Sequence, residues 1–221
     1  MRVALVPMEV RAGDFDANVR EFHRRMEEAL KYNPDIIVFP EYCLTGFEMW
    51  DFSGADLYHQ ILNIAVKTAL ESKVHLIMGL LERAGACVYN SAILVSPQGR
   101  VILRHRKFQE PMKFCTGSRV PVIDTRWGRV SVIICGDLYN REILQEILSG
   151  KPDYLFVPME YTPDHGPLND EDIRAMSLRI KLMGTTALIV NSFPPGGAWV
   201  FDKGGNLMAS SNGSNLLVVD V

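Results

Sequence analysis

Three segments of the 221-residue chain share a design in which a strongly apolar run ends on a residue able to do chemistry. Residues 36–40 read Ile-Ile-Val-Phe-Pro and lead into Glu41, a carboxylate suited to accept a proton. Residues 101–103 read Val-Ile-Leu and lead into Arg104, His105, Arg106 and Lys107, a source of fixed positive charge. Residues 130–134 read Val-Ser-Val-Ile-Ile and lead into Cys135, Gly136 and Asp137. A thiol at the carboxyl end of a buried strand, with glycine next and a helix soon after, stands where backbone N–H groups can stabilise a thiolate and a developing oxyanion. Taken together the three supply a base, a cation and a nucleophile. Each also has a plainer reading: Glu41 as a solvated strand end or helix cap, the basic run as protection of an edge strand, and Cys135 as a small buried hydrophobe.

The elements that must position these groups follow from hydrophobic period. A strand over 3–8 precedes a helix over 17–31, whose apolar stripe is Val19, Phe22, Met26 and Leu30, with Asp14 and Asp16 as N-cap residues. Residues 35–40 form a continuously apolar strand of the kind covered on both faces. A second helix is expected over 53–72 and a strand over 74–81. Residues 87–95 and 100–104, joined by Ser96-Pro97-Gln98-Gly99, read as a hairpin. Residues 108–121 lack either period and form a loop able to line a site. Strands over 129–135, 154–158, 187–191, 198–202, 207–210 and 216–221 and helices over 141–148 and 170–183 complete the inventory. Helices alternate with buried strands while hairpins interrupt both halves, so the class is α/β with mixed sheets in layers. A TIM barrel would need about 250 residues and eight regular units. No repeat or linker divides the chain, and one domain over 1–221 is expected.

Composition narrows the function classes. The chain is 48% hydrophobic, and 23 Lys and Arg against 26 Asp and Glu give a formal net charge of -3, which offers no general attraction to nucleic acid or to an anionic membrane. No apolar run reaches the ~20 residues needed to span a bilayer. The opening segment lacks a cleavable-signal layout, so a cytoplasmic protein is expected. Cys43, Cys87, Cys115 and Cys135 are few and scattered for a disulfide framework, and the five histidines form no ligand cluster with them, which makes a zinc site an unfavoured reading. Cys87 and Cys115 lack a strand-to-helix turn, and Cys43 reads as a buried filler close to Glu41. His105 or His165 could be offered as partner to a papain-like cysteine, without supporting context. Lys113 rivals Lys107 but lies in the irregular loop.

In order and spacing these segments resemble the nitrilase superfamily of carbon-nitrogen hydrolases, which use a Glu-Lys-Cys triad in this chain order. Phe39-Pro40-Glu41, Arg106-Lys107 and Ile134-Cys135-Gly136-Asp137 match its three motifs. Tyr89-Asn90-Ser91, Pro97 and Gly99 resemble the segment that precedes the family's lysine. Arg174-Ala175, Asn191 and Gly196-Gly197 through Gly205 resemble its later helix, strand and hairpin. The chain departs from the family where many members carry an aromatic residue after the cysteine and an arginine nearby; here Gly136 and Tyr139 stand instead.

The resemblance implies a four-layer α-β-β-α sandwich and an amidase-type hydrolase of non-peptide C–N bonds acting on a small amide or carbamoyl substrate. Cys135 would form a thioester, Glu41 would move protons, and Lys107 with the Gly136 N–H would face the oxyanion. Glu110, seven residues before Gly117, matches the family's second active-site glutamate. No cofactor or metal is called for, and a homodimer or higher homo-oligomer is implied. Two alternatives use the same fold: an acyltransferase with the same triad, and a binding module that has lost its chemistry.

Overall fold

The computed structural model describes residues 1–47, 53–109, 114–161 and 168–221. Two six-stranded sheets lie face to face with helices on their outer sides, a four-layer α-β-β-α sandwich. The first sheet has the order β12-β1-β2-β3-β4-β5, built from β1 (Arg2–Leu5), β2 (Ile36–Val38), β3 (His75–Ala84), β4 (Cys87–Val95), β5 (Val101–Arg106) and β12 (Leu217–Asp220). The second has the order β11-β10-β9-β8-β7-β6, built from β6 (Val122–Thr125), β7 (Gly128–Val132), β8 (Tyr154–Met159), β9 (Thr186–Asn191), β10 (Ala198–Phe201) and β11 (Leu207–Ser211). Both are mixed: β1, β2 and β3 run parallel, as do β7, β8 and β9, while the flanking pairs are antiparallel.

Alternation along the strands divides the core into layers, because successive side chains leave opposite faces of a sheet. Ile36, Val38 and Ile77 point between the sheets to meet Val130, Val132, Phe156 and Leu188. Ile37, Phe39, Leu76 and Met78 point outward onto α1 (Phe15–Leu30) and α2 (Tyr58–Ser72), where Phe22, Met26, Ile61 and Ala65 receive them. On the far side Leu155, Val157 and Ile189 pack against Ile143 and Ile147 of α3 (Arg141–Gly150) and Met176 and Ile180 of α4 (Asp170–Met183). Strands covered on both faces explain the uninterrupted apolar runs at 36–38 and 155–157. Each such side chain contributes about 1.5–3 kcal/mol by leaving water.

Local chemistry sets the helix ends. Asp14 caps α1 by accepting from the Ala17 N–H at 3.0 Å, Asn140 caps α3, and Asn169 with Asp172 forms a reciprocal capping box on α4. The expected helix over 53–72 begins as a 3-10 turn, Ser53–Leu57, and becomes α-helical only from Tyr58. β6 departs from the expected elements. Its half-buried pattern at the edge of the sheet carries no strong period, so nothing in the sequence marks it. The cysteines supply a correction: Cys87 and Cys115, 28 residues apart, form a disulfide that ties the start of β4 to the loop after Lys107. Their scatter along the sequence gave no sign of this, since pairing depends on the loop after β5 returning to β4, where the Cys115 N–H donates to the Val88 carbonyl at 2.9 Å. Among the described residues no helix is long and apolar enough to cross a membrane.

Candidate active site

Strand direction brings the chemistry to one end of the sandwich. β2 runs parallel to β3, β4 reverses, and β5 reverses again, so β2 and β5 deliver their following residues to the same end of the first sheet. β7 and β8, parallel in the second sheet, deliver Cys135 and Glu160. Two close approaches hold the first-sheet side of this arrangement. Gly79 must be glycine because a Cβ there would lie 2.5 Å from the Glu41 Cα. Gly117, whose N–H donates to the Lys107 carbonyl at 2.9 Å, would place a Cβ 1.9 Å from the Arg106 carbonyl oxygen.

Glu41 lies at the centre with 2% of its surface exposed. Its Oε1 accepts from Lys107 Nζ at 2.9 Å and from Asn90 Nδ2 at 2.6 Å, and its Oε2 accepts from the Glu160 backbone N–H at 2.9 Å. The carboxyl group is therefore met by one cation and two neutral donors, which satisfy its oxygens away from water. The Cys135 thiol lies within the electrostatic reach of Glu41, Lys107 and the Glu160 backbone N–H. Its backbone sits at φ 45°, in the left-handed region that a non-glycine residue enters at a cost. The cause is local: a 3-10 turn, Cys135–Tyr139, begins where β7 stops short, and α3 follows at once.

Electrostatics favours a protonated resting thiol. Burial pushes the Cys135 thiol above its ordinary value, and the negative charge of Glu41 adds to this. Lys107 and the Glu160 N–H act in the opposite sense. A thiol held protonated against a carboxylate is arranged for proton transfer as attack begins rather than for a standing thiolate. Cys43 is different. It is fully buried, donates only weakly to the Gly79 carbonyl at 3.6 Å, and is raised by burial with no facing charge.

The structure thus brings Glu41, Lys107 and Cys135 together. Gly136 follows Cys135 directly, and a Cβ at that position would meet nothing within 4 Å among the described residues. Glu110 and Lys113 lie outside the described residues, as does His165. His105 does not face the cysteine; it pairs with Asp137. Three contributors escaped the sequence reading as site residues. Asn90 sits mid-strand in β4 among apolar neighbours, and a buried amide there is itself a signal, since it must find a partner. Glu160 ends the apolar strand β8 much as Glu41 ends β2, yet contributes its backbone N–H. Asn191 at the end of β9 accepts from the Tyr161 N–H at 2.7 Å and so fixes the turn that carries Glu160.

A family model for carbon-nitrogen hydrolases matches residues 2–167, three quarters of the chain. The chain belongs to the carbon-nitrogen hydrolase family. Among curated proteins of this family, the chain is 28% identical over 170 residues to the bifunctional nitrilase/nitrile hydratase NIT4 of Oryza sativa subsp. japonica, with 62% of this chain and 46% of that protein covered. It therefore spans about half the length of the plant nitrilases it matches. An (R)-stereoselective amidase of Pseudomonas sp. is 25% identical over 218 residues, with 94% of this chain and 76% of that protein covered. In three dimensions the fold of this chain is similar to that of the amidase from Nesterenkonia sp. AN1. The TM-score is 0.86 at 20% identity, over 100% of this chain and 93% of that one, in a variant showing the result of Michael addition of acrylamide at its active-site cysteine.

Proposed function

We propose that this chain, acting as one domain over 1–221, is an amidase-type hydrolase of non-peptide C–N bonds that turns over a small amide or carbamoyl substrate through a thioester on Cys135. The reading rests on one observation: Glu41, buried, accepts from Lys107 Nζ at 2.9 Å, and the charges of both groups bear on the Cys135 thiol. Cys135 attacks the carbonyl while Glu41 accepts the thiol proton. Glu41 then delivers that proton to the departing ammonia or amine and afterwards takes one from the hydrolytic water. Lys107 and the Gly136 N–H face the oxyanion, each preorganised donor worth about 3 kcal/mol in the transition state. The (R)-stereoselective amidase, which this chain matches over 94% of its length, supports amide chemistry, and the plant nitrilases make nitriles the competing substrates of the test below.

The test is intact-mass spectrometry of the protein mixed with small amides, nitriles and carbamoyl amines. An acyl adduct on Cys135, lost in Cys135→Ala and kept in Cys43→Ala, is the expected result. Absence of adduct and turnover across the panel would rule out both hydrolysis and acyl transfer, leaving the binding-module reading. Release of the acyl group only to an added amine would favour the acyltransferase.

The same reading includes a homodimer packed through the helices of the second sheet. Leu178 and Leu182, four residues apart on α4, are each 58% exposed, and Leu148 of α3 is 47% exposed. Light scattering is expected to give twice the chain mass. Leu178→Glu with Leu182→Glu is expected to return the monomer; a wild-type monomer would reject the dimer.

A further inference from the structure

His105 and Asp137 are sealed from solvent, at 0% and 1% exposure, and take no part in the proton transfers described above. Asp137 spends both oxygens. Its Oδ2 meets His105 Nε2 at 2.7 Å and accepts from the Ile134 N–H at 3.2 Å, and its Oδ1 accepts from the Phe108 N–H at 3.1 Å. Ile134 is the residue before Cys135; Phe108 is the residue after Lys107; His105 is two before it. One carboxylate therefore grips the chain on both sides of Lys107 and at the entry to the nucleophile turn. The backbone bonds of Lys107 itself, to the Asn90 carbonyl and from the Gly117 N–H, stay within the first sheet and its loop. The bonds of Asp137 join the lysine segment of that sheet to the cysteine turn of the other.

The histidine is fixed for this purpose. Among the described residues its Nδ1 has no hydrogen-bond partner, so the contact with Asp137 is made by Nε2–H as donor. Its plane stacks on Phe108 with centroids 6.0 Å apart. Burying such a pair, with one ring nitrogen left unsatisfied, is costly, and the cost is accounted for if the pair fixes one arrangement of the chain.

We propose that His105 and Asp137 form a positioning couple that sets Lys107 against Cys135, a reading that rests on the Glu41-Lys107-Cys135 assignment. Misplacement of a reacting group by about 1 Å can cost on the order of 100-fold in rate. The couple thus acts through the lysine and the turn, not on substrate.

The test uses the full chain and two readouts: the rate of Cys135 alkylation by iodoacetamide, followed by intact mass, and kcat and KM on the best amide of the panel. Asp137→Asn and His105→Leu are each expected to slow alkylation and lower kcat by about 10- to 100-fold with KM nearly unchanged. The double variant should be no slower than the slower single, because the two act as a unit. His105→Gln, which keeps an N–H donor at the reach of Nε2, is expected to recover most of the rate. Wild-type alkylation in variants that merely melt earlier would overturn the proposal, as would equal rates for His105→Gln and His105→Leu. Should Asp137→Asn fail to fold, the comparison of Gln with Leu at 105 decides alone, since both leave the bonds of Asp137 to Phe108 and Ile134 in place. Glu41→Gln separates the two levels. If it slows alkylation and the His105 variants do not, positioning fails and the triad stands; if it changes nothing, the triad reading falls and the couple with it.

Discussion

Two glutamates of the first sheet are buried to the same degree, Glu41 at 2% exposure and Glu82 at 1%, and are satisfied in different ways. Glu82, on β3, accepts from Ser91 Oγ at 2.7 Å, from Arg106 Nη2 at 2.7 Å and Nε at 3.0 Å, and from Arg104 Nη1. Two guanidiniums and a hydroxyl surround it, and Arg106 in turn lies over the Tyr89 ring at 3.9 Å. Glu41 has one ammonium, one amide and one backbone N–H, and a thiol stands beside it. The first carboxylate is closed by two cations. The second has one cation and a thiol beside it, and in the proposed mechanism it is the base. Burial and hydrogen bonding alone do not set the two carboxylates apart; the thiol beside Glu41 does.

The sharpest way to break this contrast is to remove the charge from each in turn. Glu41→Gln keeps the size and the acceptor oxygen but cannot take the thiol proton. Amide turnover is expected to fall by at least about 1000-fold, with urea unfolding close to that of the parent. Glu82→Gln is expected to keep kcat within a few-fold and to lose about 3 kcal/mol of stability, the low end for breaking a buried pair, because Arg104 and Arg106 remain a third exposed and can rehydrate. Activity lost on changing Glu82 in a folded protein, or retained on changing Glu41, would erase the distinction.

The sequence showed the strand ends more clearly than the contacts between them. Glu41 and Cys135 were legible because each follows a long apolar run, and buried strands must stop somewhere polar. Lys107 was legible by order and spacing against the family, since the basic run from 104 to 107 alone also describes a protected edge. The roles inside that run were not legible. Alternation sends Arg104 and Arg106 to the helix side, onto Glu82, and His105 inward to Asp137, and this depends on the register of β5 against β4. The one residue of freedom in that register would exchange every partner. Asn90 was visible as a motif and not as a donor, and the Glu160 N–H belongs to the backbone, which no side-chain motif can announce. The Cys87–Cys115 link depended on a loop returning to β4, a matter of tertiary path rather than of spacing.

Acid offers a smaller and more graded test of the same contrast. Burial alone would raise the Glu82 carboxyl; the hydrogen bonds from Arg106 and Ser91 and the charges of Arg104 and Arg106 overcome it and hold the group below the ordinary glutamate value. A carboxyl lowered in the folded state contributes stability that is fully present above its unfolded value of about 4.3 and is lost as pH falls through the folded value. Unfolding free energy should therefore hold steady from neutral pH to about 5 and decline below it, this one group adding at most about 1.4 kcal/mol per pH unit to the slope. Glu82→Gln should remove that share and leave a shallower decline, with the two stability curves converging as the parent becomes protonated. Curves that stay parallel from pH 7 to pH 3 would mean that the Glu82 cluster gives no pH-linked stability. The two arginines would then be placed there for packing, and the division between a closed carboxylate and a working one would rest on the Glu41 site alone.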